Sequence, residues 1–344
     1  MSGIKPSVQR TRTRRNIVGA IASATLASSV LIATPAMADD GVEDQIAATL
    51  AAVPAEYGVM DDNVALSLSA SEGEDVVGIP ENPNDGISIN SEIWPTLEVS
   101  LPFADESSPD GTAVGGSSMA YDNENGSLTV PTAKSGGSAQ ITTIIQNESA
   151  PTSYRYELGN DEDLVLSQLE DGGVLIEDLA GNYRGYVLAP WASDADGVPV
   201  ATAYEIDGSA LVQVVDHNSG TYAYPIVADP WLGVAIFSSI TRDTYQSQPR
   251  VNLQPSVGGY GLWAGGVAGQ VIMNTAGWDE AVTKSAQIKS DLNKDSMRQQ
   301  FECHALGSPF AGEWNLEKSR PNRTTHWSYG VATHHCNWTT ANGV

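Results

Sequence analysis

The stretch GSLTVPTAKSGGSAQITTIIQ (126–146) decides how the chain is read. SLTV and AQITTIIQ are short, rich in β-branched residues, and separated by a Ser-Gly-Gly turn signal. That pattern predicts two neighbouring strands. Downstream the same grammar repeats in SYRYEL, GVLIED, YRGYVLAP, VATAYEI, ALVQVVD and TYAYPIV. Between them stand turn residues such as DGG (171–173), AGN (180–182), DADG (194–197) and HNSG (217–220). Short strands at a spacing of roughly 8–12 residues predict an all-β, sandwich-like domain over 126–230. His217 sits in the polar HNSG tip and is expected to be exposed.

Upstream, residues 39–125 form an acidic segment rich in Gly, Ser, Pro and Asn. Val42, Ile46 and Leu50 share one helical face, so a short helix is expected, ended by Pro54. Only brief alternating pieces follow (VALSLSA, DVVGIP, GISI, LEVSLP), which read as loop and edge strand. Residues 1–38 read as a signal peptide. A basic head (Lys5, Arg10, Arg12, Arg14, Arg15) precedes an apolar run and an Ala36-Met37-Ala38 cleavage pattern. The expectation is a secreted, extracellular or cell-envelope protein with no membrane span in the mature chain.

Charge divides the chain. Of 17 basic and 42 acidic residues, the first 38 positions hold five bases and no acid, so the remainder carries a net −30. Residues 39–230 account for 34 acids and three bases, whereas 231–344 are nearly balanced with eight and nine. Such an acidic first part repels phosphates and argues against nucleic acid as a partner.

Residues 231–344 read as a small α+β domain. Two helices are expected, one capped by Thr275 and one starting near Asp295 or Ser296 and ended by Gly307 in a left-handed conformation. Trp314 and Leu316 alternate with polar neighbours as in a strand, and Trp327, Tyr329 and Val331 repeat the pattern. The glycine-rich GGYGLWAGGVAG (258–269) lacks the frame of a dinucleotide loop.

Tyr224-Pro225-Ile226-Val227-Ala228-Asp229-Pro230 resembles a region upstream of varied C-terminal domains in secreted actinobacterial proteins. Gly277-Trp278-Asp279-Glu280, Ser296-Met297-Arg298, Cys303-His304, Glu313-Trp314-Asn315-Leu316-Glu317, Arg320-Pro321 and Cys336-Asn337 resemble the family domain of unknown function 2599. That resemblance implies secretion and no established activity, and it assigns no catalytic residues.

The chemistry-bearing residues crowd the C-terminus. Cys303 and Cys336 are the only cysteines and lie 33 positions apart. In an exported chain a lone pair is most simply a disulfide, contributing roughly 3–4 kcal/mol by chain entropy. His304, His326, His334 and His335 gather nearby, but their spacing follows no zinc pattern, and neither a metal nor a cofactor is expected. His304 with Glu313 or Glu317, or His326, would serve a secreted hydrolase or toxin-like effector. On its apolar helix face, however, His304 reads better as a hydrogen-bonded core residue. Glu313 and Glu317 would stand about 13 Å apart along a strand, too far for paired-carboxylate chemistry, and read as a solvated face. The preferred reading is a non-catalytic binding module for an unknown extracellular protein or glycan. Its expected surface is Trp314, Trp327 and Trp338 with Arg320 and Arg323 from the loop KSRPNR (318–323).

Overall fold

In the computed structural model, which describes residues 39–61, 63–69, 75–159 and 163–343, strands Ser127–Lys134 and Ser138–Ile145 form a hairpin. Its register runs from Ser127 opposite Ile145 to Lys134 opposite Ser138. Gly136 and Gly137 make the turn at φ 66° and 57°, a conformation that suits residues without a Cβ. Both strands are buried along their whole length, because both faces are covered. Ile141 and Ile145 point into the main core. Leu128, Val130 and Ile144 point the other way, against Ile46 and Leu50 of helix α1 (Asp39–Ala52). The expected helix face is thus the one that packs.

The hairpin is the middle of a ten-stranded sheet. From one edge the order is Thr112–Val114, Ser118–Asp122, the hairpin, Trp231–Gly233, Tyr183–Val187, Val174–Asp178 and Leu164–Gln168, with Ala192–Ser193 and Ile226–Ala228 attached. Two three-stranded sheets complete the region: Val77–Gly78, Ile87–Ile89 and Leu97–Val99, and Thr202–Asp207, Ala210–Val215 and Ser153–Glu157. All pairings between these strands are antiparallel. Side chains from all three sheets meet in one core, including Ile87, Leu97, Ile141, Tyr154, Tyr156, Leu211 and Leu232.

Lys134, at the hairpin end, is buried. Its ammonium donates to the carbonyls of Gly58, Val59 and Asp61 and to Asn63 Oδ1 at 2.6–3.0 Å, and lies 4.9 Å from the Trp231 ring centroid. A single lysine therefore fastens the segment after α1 to the sheet.

From residue 237 the chain forms a second sheet, Phe237–Tyr245, Gln248–Pro255 and Trp314–Glu317. Helices α2 (Val257–Ala264), α3 (Gly266–Thr283), α4 (Ala286–Leu292) and α5 (Asp295–Gly307) follow its hairpin. A second core joins Val251, Leu253, Met273, Met297, Phe301, Trp314 and Leu316 to Leu169, Leu175, Tyr183 and Tyr186 from the ten-stranded sheet. Gly258 shows how close the approach is. A Cβ there would fall 1.5 Å from Tyr186 Cζ, so α2 can lie on that ring only with glycine at this position. The chain is strand-rich through its N-terminal part and mixes helices with strand in its C-terminal part, where Cys303 and Cys336 are joined by a disulfide.

Several local expectations are corrected. The first C-terminal helix pair begins at Val257, and Thr275 lies inside α3, its Oγ1 donating to the Val271 carbonyl at 2.8 Å. Gly307 closes α5 without a left-handed φ and instead leaves room for Trp327, whose Cζ3 would sit 2.7 Å from an added Cβ. Residues 327–331 are not a strand; they turn into the short helix α6 (Val331–His334). His217 is buried, 2.9 Å from Tyr224 Oη and 3.2 Å from the Pro151 carbonyl. The signal-peptide expectation lies outside the described residues.

Candidate functional site: a basic cleft between three helices

Helices α3, α4 and α5 follow one another through two-residue connections and leave a cleft of about 660 Å³. That size lies within the ~300–1,000 Å³ usual for ligand sites. Ser285 caps α4, its Oγ accepting from Ile288 N at 3.2 Å, and Asn322 Oδ1 accepts from Ser296 N at 3.0 Å at the start of α5. Trp278, Val282, Ala286 and Leu292 supply apolar walls. Lys289, Lys294 and Arg298 supply positive charge against the single acid Asp295.

The three cations differ. Lys294 is tied down, donating to the carbonyls of Lys318 and Arg320. The Arg298 guanidinium lies 5.1 Å from the Trp278 ring, donates to Asn274 O at 2.9 Å and pairs with Glu302 at 3.3 Å. Burial lowers its pKa, opposed by Glu302 and Asp279. Lys289 is exposed, and its ammonium has no partner among the described residues. The cleft therefore offers one fixed cation, one stacked on an indole and one free to reach a ligand.

The residues expected to form a recognition surface lie elsewhere, and most of them are inside. Trp314 and Trp338 are fully buried, and their indole N–H groups donate to Pro309 O at 3.0 Å and Pro321 O at 2.8 Å. Arg323 is buried as well. It donates to the carbonyls of Thr325, Tyr329 and Gly343 at 2.9–3.0 Å and stacks 4.9 Å from the Trp338 ring. Arg320 pairs with Glu317. Trp327 is half-buried against Cys303, Cys336 and Trp338. Trp314, Trp338 and Arg323 are thus buried where an open aromatic–arginine platform was expected, while Trp327 and Arg320 stay partly accessible.

The candidates for acid–base work do not converge. His304 is 3% exposed and stacks on Trp314 at 5.4 Å with a 10° interplanar angle. Among the described residues its ring nitrogens form no regular hydrogen bond, contrary to the sequence reading, and burial pulls its pKa down to about 4, with the Ser308 backbone opposing. His326 is exposed and contacts Ser328 Oγ at 2.7 Å, and Glu313 is exposed. Glu317 is buried, not on a solvated face: Arg320 pairs with its carboxylate and Gln300 with its backbone. Among the described residues no group of three or more His, Cys, Asp or Glu is placed to hold a metal ion.

His334 is a structural residue. Its Nε2 lies 3.1 Å from the carbonyls of both Trp327 and Tyr329, while its Nδ1 accepts from Cys336 N at 3.0 Å. These contacts assign the proton to Nε2. Burial lowers its pKa, which suits a neutral ring. His335 and Cys336 take left-handed φ values of 45° and 67°, so the peptide bends sharply into the disulfide.

Sequence reasoning missed two further devices. Gln300 pairs its amide with the Glu317 peptide, accepting from N at 2.8 Å and donating to O at 3.1 Å. Gln299 does the same with Arg323, at 2.8 and 3.1 Å. Glu280 is the second. Its buried carboxylate accepts from Trp94 Nε1 at 2.7 Å, Ile236 N at 2.8 Å and Phe237 N at 2.9 Å. Burial pushes its pKa up to about 7 against those hydrogen bonds. The only sequence signal was its place in the Gly277-Trp278-Asp279-Glu280 motif.

No curated protein and no solved structure matches the chain. The cleft, both cysteines and the side chains that hold the tail all fall within residues 263–339, the segment that matches the family described as protein of unknown function (DUF2599) and by which this chain resembles that family.

Proposed function

We propose that the chain is an exported, non-catalytic binding module, and that the cleft between α3, α4 and α5 holds an anionic ligand with an apolar ring or chain. One observation carries this reading: Lys289, Lys294 and Arg298 surround apolar walls in a chain that otherwise carries a large excess of acid. With a Debye length of about 8 Å at physiological salt, the distant acids are screened; Glu302, Asp279 and Asp295 offset part of the local positive charge, and Lys289, unpaired among the described residues, is the cation left to attract an anion. Trp278 adds a ring face, and Arg298 lies beside it to meet a carboxylate or phosphate. Export is supported by the basic head, apolar run and small-residue cleavage pattern of the first 38 residues.

Catalysis by His304 has less support. A ring sealed against Trp314, with its pKa near 4, is neutral at neutral pH, and no carboxylate hydrogen-bonds to it among the described residues. The test is calorimetric titration with octyl phosphate and with neutral octyl glucoside, both below micelle formation. The phosphate is expected to bind, with affinity falling as salt rises and about fivefold or more in Lys289→Glu. Equal binding of both amphiphiles, or an unchanged affinity in folded Lys289→Glu, would remove the reading.

A further inference from the structure

A second cavity, of about 270 Å³, opens where the two parts of the chain meet. Its wall comes from the Ser127–Lys134/Ser138–Ile145 hairpin end (Ser135, Ser138), from Trp231, from Ser238 and Gln254 of the second sheet, and from Tyr260 of α2. Among the described residues no charged one lines it, although 17% of the chain is charged.

Its polar groups are underused. Trp231 is 5% exposed and lines the cavity, and its Nε1–H is buried with no hydrogen-bond partner among the described residues. A buried donor in that state is destabilising unless something accepts from it. Trp231 lines the cavity with its ring, while Nε1 itself is covered. The Gln254 amide reaches only Pro255 O at 3.4 Å and Tyr260 Oη at 3.5 Å, both at the limit of hydrogen bonding. The hydroxyls of Ser138 and Ser238 donate to the carbonyls of Ser135 and Gln254 at 2.9 and 3.2 Å, which leaves their oxygens able to accept. At the rim, Tyr260 stacks on Phe310 at 5.5 Å, Trp263 meets the same ring edge-on at 4.9 Å, and Phe310 is 64% exposed.

We infer that this cavity is a binding site for a neutral saccharide, with one sugar ring among Trp231, Gln254 and the serines and the next lying along the Tyr260–Phe310 shelf. Mixed donors and acceptors without charge match sugar hydroxyls. An exposed aromatic shelf matches the apolar face of a pyranose. The volume, just below the ~300 Å³ lower end for ligand pockets, limits the inner site to one ring. The site is separate from the basic cleft and shares no lining residue with it.

The test is a ¹H–¹⁵N titration of the labelled protein, read at its eight indole N–H resonances, with that of Trp231 assigned by its absence in Trp231→Phe. The probes are cellobiose, maltose, mannobiose, galactobiose and chitobiose. At least one is expected to shift the Trp231 resonance saturably and to shift that of Trp263 at the rim with it, and the affinity read at Trp263 is expected to fall at least fivefold in Trp231→Phe. Ser238 is exposed, so Ser238→Phe blocks the mouth without disturbing the core and should abolish the shift even if Trp231→Phe folds poorly. Absence of any shift, retention of the shift in Ser238→Phe, or an equal response to inorganic phosphate would overturn the assignment.

Discussion

The ten-stranded sheet and the C-terminal tail satisfy their backbones in opposite ways. In the sheet, peptide pairs with peptide along eight successive positions of one hairpin, and side chains are left to pack. In the tail, residues 318–343 contain one short helix and no strand, and side chains do the pairing. Lys294, Gln299, Gln300, Arg323 and His334 spend their donors and acceptors on main-chain groups. Buried peptide groups must be paired somewhere. Where regular structure does not pair them, charged and amide side chains are conscripted. Residues that resemble recognition chemistry in the sequence are then scaffold.

That contrast can be broken most severely at the crosslink. Replacing both Cys303 and Cys336 with serine should cost about 3–4 kcal/mol in denaturant unfolding. Hydrogen exchange should quicken in 318–343 before it quickens in the sheet. Uniform acceleration would mean that the tail is not a separate case.

A smaller loss, about 2–3 kcal/mol, is expected for Arg323→Ala, which strips the carbonyls of Thr325, Tyr329 and Gly343 of their donor. Arg323→Lys should recover little of it, since an ammonium lacks the planar fork that reaches three directions. Full rescue by lysine in a melting experiment would show that charge alone suffices.

The smallest effect concerns pH. Glu280 has a folded pKa of about 7 against an ordinary value of 4.5, so the folded state holds a proton that the unfolded state releases. Its contribution to stability is fully present below about pH 4.5 and is lost as pH rises toward about 7. Asp229, raised from 3.8 to about 7, acts in the same sense, while His304, lowered from 6.5 to about 4, opposes both within its own window. Glu280→Gln should remove up to ~1 kcal/mol per pH unit of that slope, measured by urea unfolding from pH 4.5 to 7.5. An unchanged slope would assign the pH dependence to other groups.

Legibility followed the same division. The short strands could be read because alternation and turn residues record which face each side chain takes. The strand at Trp314–Glu317, helix α5 and the cysteine pair were readable for similarly local reasons. The hairpin of Phe237–Tyr245 and Gln248–Pro255 was not, because its turn uses Gln246 and Ser247 at positive φ, without a glycine to announce it. The helical start at Val257 was hidden by glycines that serve close packing, Gly258 on Tyr186, Gly259 on the Ile236 carbonyl and Gly261 on Leu188. His217 and Glu280 depend on partners 66 and 186 positions away, and no local pattern encodes such contacts. The basic cleft assembles from three helices and had no signature beyond the balanced charge of the C-terminal part.

The Glu280 carboxylate has a practical consequence for anyone dissecting the molecule. A polypeptide severed before Trp231 would arrive without the Trp94 indole that Glu280 receives, and without Leu169, Leu175, Tyr183 and Tyr186 to roof its helices. Such a fragment would display greasy surface to solvent and carry an ionisable group stranded beneath it. Excising the C-terminal portion for study therefore calls for keeping its upstream roof attached.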